Sequence, residues 1–374
     1  MKAIRAYAYG GPERLTLEDV PDPVPGEGEV LIDVAASGVN PVDWKVLEGR
    51  MKAFLPLPLP YTPGVEVSGK ISALGAGVTD FAVGDDVFGF IAIVGGYATK
   101  VVASVERLAA VPKKLSMIEA AGVPAAALTA WQALHEHAGV KPGQRVLIHG
   151  AAGGVGSMAV QLARIAGLEV IGTASSVNLE YVRRLGATQV INYRRESFEE
   201  SVSSVDIVLD LIGGETQDRS WSLLKPGGVL ASPVSPPDAE RARRAGVVAK
   251  HFATRSDGRQ LSAIAAHFDS GELVVEVDGG ETQDRSWSLL KPGGALASPV
   301  SPPDAERARR AGVVAKHFAT RSDGRQLSAI AAHFDSGELV VEVEMVFPLS
   351  RAADALQRNL TGHARGKLVL DATR

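Results

Sequence analysis

The chain contains no cysteine among its 374 residues. No thiolate can ligate zinc, so zinc sites built on cysteine are excluded. Histidine does not fill the gap. Of eight histidines, His135 and His137 stand one residue apart on a helix-length pattern and cannot share a face. His251 and His267 recur as His317 and His333, and His363 lies near the C-terminus; none has ligand spacing. His149 closes a short apolar run. Long hydrophobic runs are missing too. Prolines interrupt positions 54–60, and the N-terminus lacks the charged-then-apolar order of a signal peptide. No membrane span is expected, and the cytoplasm is the expected location. Basic clusters never exceed a few residues and the net charge is −4, which leaves no electrostatic footprint for nucleic acid.

What is present is a glycine-rich turn between two structural signals. Val146-Leu147-Ile148 reads as a strand, and His149-Gly150-Ala151-Ala152-Gly153 breaks it. A helix follows from about Gly154 to Ala166, with Val155, Met158, Ala159, Leu162 and Ile165 on one face and Gly167 as its stop. Glu169 to Thr173 reads as the next strand, completing a β-α-β unit. Ala151-x-Gly153-x-x-Gly156 is the dinucleotide fingerprint with alanine at its first position. The site it predicts comprises Ala151, Gly153, Gly154, Val155 and Gly156, where backbone N–H groups and the helix dipole receive a pyrophosphate. In this context, dinucleotide binding outweighs a merely structural turn.

The end of the second strand discriminates between cofactors. NAD-binding folds place a carboxylate there to hold the ribose 2′-hydroxyl. Here the chain reads Thr173-Ala174-Ser175-Ser176-Val177-Asn178, with no acid to repel a 2′-phosphate. Ser175 and Ser176 can donate to phosphate oxygens, and Tyr193, Arg194 and Arg195 follow the next strand within reach of the same place. The serines also read as caps of a helix at Leu179–Leu185, and both roles are compatible. The cofactor expected is NADPH.

Up to about residue 120 the pattern is short alternating strands with turn signals such as Pro25-Gly26 and Gly84-Asp85. Beyond it, helix-length patterns alternate with short Val/Ile/Leu runs. Two domains are the default for this length.

The glycine unit and its flanks resemble the medium-chain dehydrogenase/reductase superfamily, in its zinc-independent quinone oxidoreductase branch. The segments that carry the likeness include Tyr9-Gly10-Gly11-Pro12-Glu13, Gly38-Val39-Asn40-Pro41-Val42-Asp43-Trp44, Pro63-Gly64-Val65-Glu66-Val67-Ser68-Gly69, Gly95-Gly96-Tyr97-Ala98, Ala127-Leu128-Thr129-Ala130-Trp131 and Gly366-Lys367-Leu368-Val369-Leu370. The resemblance implies an α/β fold: a GroES-like β-barrel domain at 1–122, a Rossmann-fold doubly wound parallel sheet at 123–343, and a segment at 344–374 returning to the first domain. Where zinc-bearing members carry Gly-His-Glu, this chain has Gly64-Val65-Glu66, and Asn40 stands near their first cysteine.

Without a Lewis-acid metal, quinones and α,β-unsaturated carbonyls are the fitting acceptors, because delocalisation absorbs the charge of an incoming hydride. By resemblance, Asn40 lies beside the nicotinamide or the substrate oxygen, Asp43 orders its loop, and Thr129 contacts the nicotinamide side. Several quinone reductases carry tyrosine where Lys45 and Met51 fall here. Lys45 then either stabilises a developing oxyanion or is an ordinary solvated lysine. Tyr61 and Tyr97 read as packing residues with satisfied hydroxyls. Two other functions share this pattern: an NADPH-binding protein without catalysis, and an enoyl-thioester reductase.

One feature departs from the family. Residues 213–277 recur as 279–343, with Val229 replaced by Ala295 as the sole difference. Such near-identity is no solenoid, whose repeats drift; it reads as a recent tandem duplication or an error of assembly. Each copy carries the last two strands and the helices of a Rossmann sheet, and only one copy can fill those places. The surplus copy is expected to pack on the edge strand or to stay loosely ordered, which leaves a homodimer through that edge in doubt. Ser232 and Phe252, with their counterparts Ser298 and Phe318, are candidate cofactor neighbours.

Overall fold

A computed structural model describes residues 1–53, 55–113, 115–269, 275–276, 295–298, 314–317, 341–360 and 367–373. It divides into two compact units, Met1–Leu128 with Ser256–Gly280 and Arg321–Arg374, and Thr129–Arg255 with Glu281–Thr320. The division falls at Leu128/Thr129 and places Ser256–Gly280 with the first unit, whereas the family resemblance implies a division at 122/123 and keeps that stretch in the second.

The first unit opens with an antiparallel pair, β1 (Lys2–Ala6) and β2 (Leu15–Asp19). Its main sheet uses β3 (Glu29–Gly38), β4 (Glu66–Leu74), β5 (Asp86–Phe90), β6 (Lys100–Ser104) and β7 (Leu108–Ala110), all joined antiparallel. Val30, Ile32 and Val34 are buried on one face of β3; on the other, Asp33 is exposed while Leu31 is buried. Helix α1 (Pro41–Leu47) follows β3 directly, and α2 (Met117–Ala121) and α3 (Pro124–Trp131) follow β7.

The second unit is a six-stranded, wholly parallel sheet. Its strands are β8 (Arg145–Ile148), β9 (Glu169–Ala174), β10 (Gln189–Asn192), β11 (Val205–Leu209), β12 (Leu224–Ser232) and β13 (Val248–His251). They lie in the order β10-β9-β8-β11-β12-β13. Helices α4 (Gly154–Ile165), α5 (Leu179–Arg184), α6 (Phe198–Ser201), α7 (Gly214–Ser220) and α8 (Ala239–Ala245) alternate with them. This order reverses direction between β8 and β11, and in doubly wound sheets ligands bind at the carboxyl ends of the strands at that switch point. Leu147, Ile171, Ile191, Val208 and Leu230 share one core cluster, as expected where both sheet faces are covered.

The chain then returns to the first unit. Helix α9 (Gly258–Asp269) and the short β14 (Val275–Glu276) precede the second copy, of which β15 (Ala295–Ser298) and β16 (Val314–His317) are described. Strand β17 (Val341–Pro348), helix α10 (Ala352–Leu360) and β18 (Lys367–Asp371) complete it, with β18 antiparallel to β3. Phe347, Leu349, Leu356, Leu368 and Leu370 share a core with Ile4, Val39, Leu47 and Tyr97.

The first copy supplies the sheet. β12 joins β11, whereas β15 and β16 form a separate parallel pair beside β13. That pair repeats the register of β12 and β13: Leu230 faces Ala249 and Ser232 faces His251, just as Leu296 faces Ala315 and Ser298 faces His317. The two copies also meet in kind, since Val275 and Glu276 pair in parallel with Val341 and Glu342. Phe318 and the helices expected in the second copy lie outside the described residues.

Candidate active site

The fingerprint turn lies at the carboxyl end of β8, next to β11. Gly150 adopts φ +68°, a left-handed conformation that glycine takes without strain. Gly153 is the N-cap of α4, and the first i→i−4 bond runs from Ser157 N–H to the Gly153 carbonyl at 2.8 Å. The amides of Gly154, Val155 and Gly156 therefore have no helical acceptor, which makes this end an anion cradle. Gly156 has no room for a side chain: a Cβ would stand 2.1 Å from the Gly150 carbonyl oxygen. The alanine at the first fingerprint position has its own accommodation. Ala151 is buried, and its Cβ faces Gly172 of β9, where a Cβ on residue 172 would come within 2.9 Å of it.

At the ends of β9 and β10, Ile191 faces Thr173 and Asn192 faces Ala174, which brings the residues that follow each strand side by side. Ser175 caps the turn Ser176–Asn178, Ser176 is exposed, and Tyr193 is exposed with the Arg194 guanidinium 5.8 Å from its ring. No carboxylate occurs between Ser175 and Asn178.

Thr129, Ser232 and Phe252 are buried. Thr129 shares a short hydroxyl–hydroxyl bond with Thr254, and the next helical turns clasp the same segment. Gln132 donates to the Arg255 carbonyl at 2.9 Å and accepts its N–H at 2.7 Å, and His137 stacks on Phe252 at 4.3 Å between centroids. Thr129 and Phe252 are thus brought together through the 252–255 segment. The Ser232 hydroxyl is committed elsewhere, donating to Asp210 at 3.0 Å beside Gln217, which donates to the same carboxylate at 2.7 Å.

In the first unit, Asn40 is the N-cap of α1. Its backbone N–H donates to Asp43 at 2.7 Å, and its side-chain nitrogen donates to Glu66 Oε1 at 2.7 Å. Glu66 is fully buried and its other oxygen accepts the Ala125 N–H at 2.7 Å. Asp43 also accepts the Tyr97 hydroxyl at 2.7 Å. Burial and the Asp43 charge push the Tyr97 phenol far above the ordinary tyrosine range, so it stays protonated and structural. Tyr61 differs from the expectation. Its ring is buried, but its hydroxyl has no hydrogen-bond partner among the described residues, and burial pushes its pKa up strongly.

Lys45, five residues after Asn40, is half-buried, with its ammonium 5.4 Å from the Trp44 ring. Burial first, then the nearby Arg50 charge, lowers its pKa to about 8. Among the described residues Lys45 forms no ion pair with an acid.

Family comparison places this geometry. Residues 26–113 match the alcohol dehydrogenase GroES-like domain, and 154–234 and 273–370 match two zinc-binding dehydrogenase families. The chain is 38% identical over 236 residues to the quinone oxidoreductase of Homo sapiens, covering 61% of this chain and 71% of that one. With the 2-methylene-furan-3-one reductase of Solanum lycopersicum it shares 34% over 322 residues, 81% of this chain and 79% of that one. A mycobacterial protein solved with NADPH superposes with a TM-score of 0.69 at 28% identity, over 99% of both chains. The chain belongs to the medium-chain dehydrogenase/reductase superfamily, in its quinone oxidoreductase branch.

The zinc in the name of the matched family models finds no fit in this member of the branch. Cysteine is absent, Val65 replaces the histidine of the zinc-bearing pattern, and no cluster of three metal-ligating side chains occurs among the described residues. Sequence reasoning missed Glu66, Gln132 and Asp210 as parts of the site. Each is a buried polar residue with distant partners, and the one local hint was the Gly64-Val65-Glu66 segment itself.

Proposed function

We propose that the chain is an NADPH-dependent reductase that transfers hydride to quinones or α,β-unsaturated carbonyls without a metal. The observation that carries this reading is the glycine turn at the sheet's switch point, with serines and an arginine-flanked tyrosine, and no carboxylate, where the 2′-phosphate would lie. Bound there, the reduced nicotinamide supplies the hydride. Ala151, Gly153, Gly154, Val155 and Gly156 receive the pyrophosphate on backbone amides. Ser175 and Ser176 donate to the 2′-phosphate, and Tyr193 with Arg194 flanks it. Thr129 and the backbone around Phe252 border the nicotinamide, while Ser232 acts indirectly by holding the end of β12.

Asn40 and Lys45 serve the acceptor. Asn40 is held on both its backbone and its side chain, so it orients a bound molecule at little entropic cost. Lys45 supplies a positive charge toward the oxygen on which negative charge develops. The hydroquinone or enolate takes its proton from water, and no side-chain acid is assigned.

The test is steady-state oxidation of NADPH and NADH, side by side, against para- and ortho-quinones, enals, enones and enoyl thioesters. NADPH turnover with quinones or enones is the expected result. Tight NADPH binding with no turnover across the panel would replace the enzyme by a binding protein, and a thioester preference would replace it by an enoyl-thioester reductase.

A further inference from the structure

We propose that Glu66 is a positioning residue whose buried carboxylate holds the side-chain amide of Asn40 in one orientation and ties it to the start of α3. The catalytic consequence rests on the role of Asn40 given above. A carboxylate only accepts hydrogen bonds, so the Asn40 nitrogen must face Glu66 Oε1, and the Asn40 carbonyl oxygen is turned away from it. The second Glu66 oxygen takes the N–H of Ala125. Pro124 begins α3 and carries no N–H, so the Ala125 amide is the first donor this helix start must place.

The backbone enforces the same arrangement. Gly38 lies two residues before Asn40, and a Cβ there would stand 2.1 Å from Glu66 Oε1 and 2.6 Å from the Ala121 carbonyl oxygen. The carboxylate therefore fills the space that any side chain at position 38 would need. A fully buried carboxylate is costly unless its oxygens are satisfied. Here two donors from sequence-distant elements satisfy one oxygen each. Asp43 holds the Asn40 backbone from the other side, so Asn40 is clamped between two buried acids.

The test exchanges donor for acceptor. In E66Q the new amide either sets its NH₂ group against the Asn40 nitrogen or the Ala125 N–H, donor against donor, or turns the Asn40 amide over to use its carbonyl oxygen; the first breaks the clamp and the second reverses Asn40. Adding N40D reverses the pair: the new glutamine donates to the new aspartate and still accepts from Ala125. In the full-length protein, E66Q is expected to lower kcat by about ten- to a hundredfold. KM for the quinone and Kd for NADPH should stay within about twofold. Hydrogen exchange at the Ala125 amide, which needs no acceptor, should speed up in E66Q and slow again in the double variant. A lowered kcat in E66Q with Ala125 exchange restored in the double variant supports the proposal, and the same exchange pattern in a protein whose unmutated form reduces no acceptor supports the clamp while discarding the reductase reading. A folded E66Q with normal kcat and normal Ala125 exchange would overturn the proposal. So would a double variant whose Ala125 amide exchanges as fast as in an E66Q where exchange has sped up.

Discussion

Lys45 shows how much a single position leaves open. Its sequence setting allows an exposed lysine or a charge for catalysis, because nothing within a helical turn decides its burial. The fold half-buries the ammonium over Trp44 and lowers its pKa to about 8. The ammonium persists below that pH and is lost above it, so kcat is expected to fall as pH rises through about 8. Lys45→Met should cost roughly ten- to a hundredfold in kcat and abolish that alkaline limb. A wild-type rate level through pH 9 would discard the role. Ser175 supports a second expectation. Ser175→Asp sets a carboxylate where the 2′-phosphate is proposed to lie, and should weaken NADPH binding about tenfold or more while NADH changes little, as titrations of both nucleotides would show. The fingerprint glycines were legible because they act within a few residues of one another. Glu66 was not, because Asn40 and Ala125 reach it only after three separate elements have packed.

At the scale of elements, the strand–turn–helix unit follows its local pattern closely. The helix expected from about Gly154 to Ala166 runs Gly154–Ile165, and the strand expected at Glu169–Thr173 runs one residue further. Gly156 is the position where the turn and α4 meet too closely for a side chain. Gly156→Val should therefore push the helix start away from the turn, cost about 1–3 kcal/mol in a denaturant titration, and abolish NADPH binding. Unchanged NADPH affinity would show that these amides do not form the cradle. Patterning did not foresee the π-helical stretch Gln132–Ala138 beyond α3, where Gln132 pairs with the Arg255 backbone and His137 stacks on Phe252, both partners far along the chain.

Across the whole molecule, the two near-identical copies pose the question that local chemistry cannot answer. Copy one follows β11 almost directly, whereas placing copy two beside β11 would require a connection spanning the entire first copy, at a higher closure entropy. Val229 adds to the bias. It faces Ile207 in the ladder, and its counterpart Ala295 would bury two fewer carbons there, worth about 1 kcal/mol. Deleting 278–343 rejoins Val277 to Glu344 and recreates the residues that begin β17, so the shortened chain should keep its cooperative melting and NADPH affinity. Loss of either would mean that the second copy is structurally required. Buried His149 and His251 and the partly buried His137 bear on stability in acid. Burial lowers His137 to about 3 and His149 and His251 to about 4, so each stays neutral when folded while the unfolded chain protonates near 6.5. Their contribution is fully present above about pH 6.5 and is lost as pH falls toward 4, at about 1 kcal/mol per pH unit for a single titrating group. Denaturant titrations at pH 7, 6 and 5 should record that decline, and a flat profile would contradict it. The amino-acid sequence alone determined the absence of a cysteine-built metal site, the strand–turn–helix cradle and the lack of an acid beside it, because each depends on residue type or on neighbours a few positions apart. Which copy completes the sheet, and which buried acid holds Asn40, were decided only by the tertiary structure, because those outcomes turn on loop closure and on partners far apart along the chain.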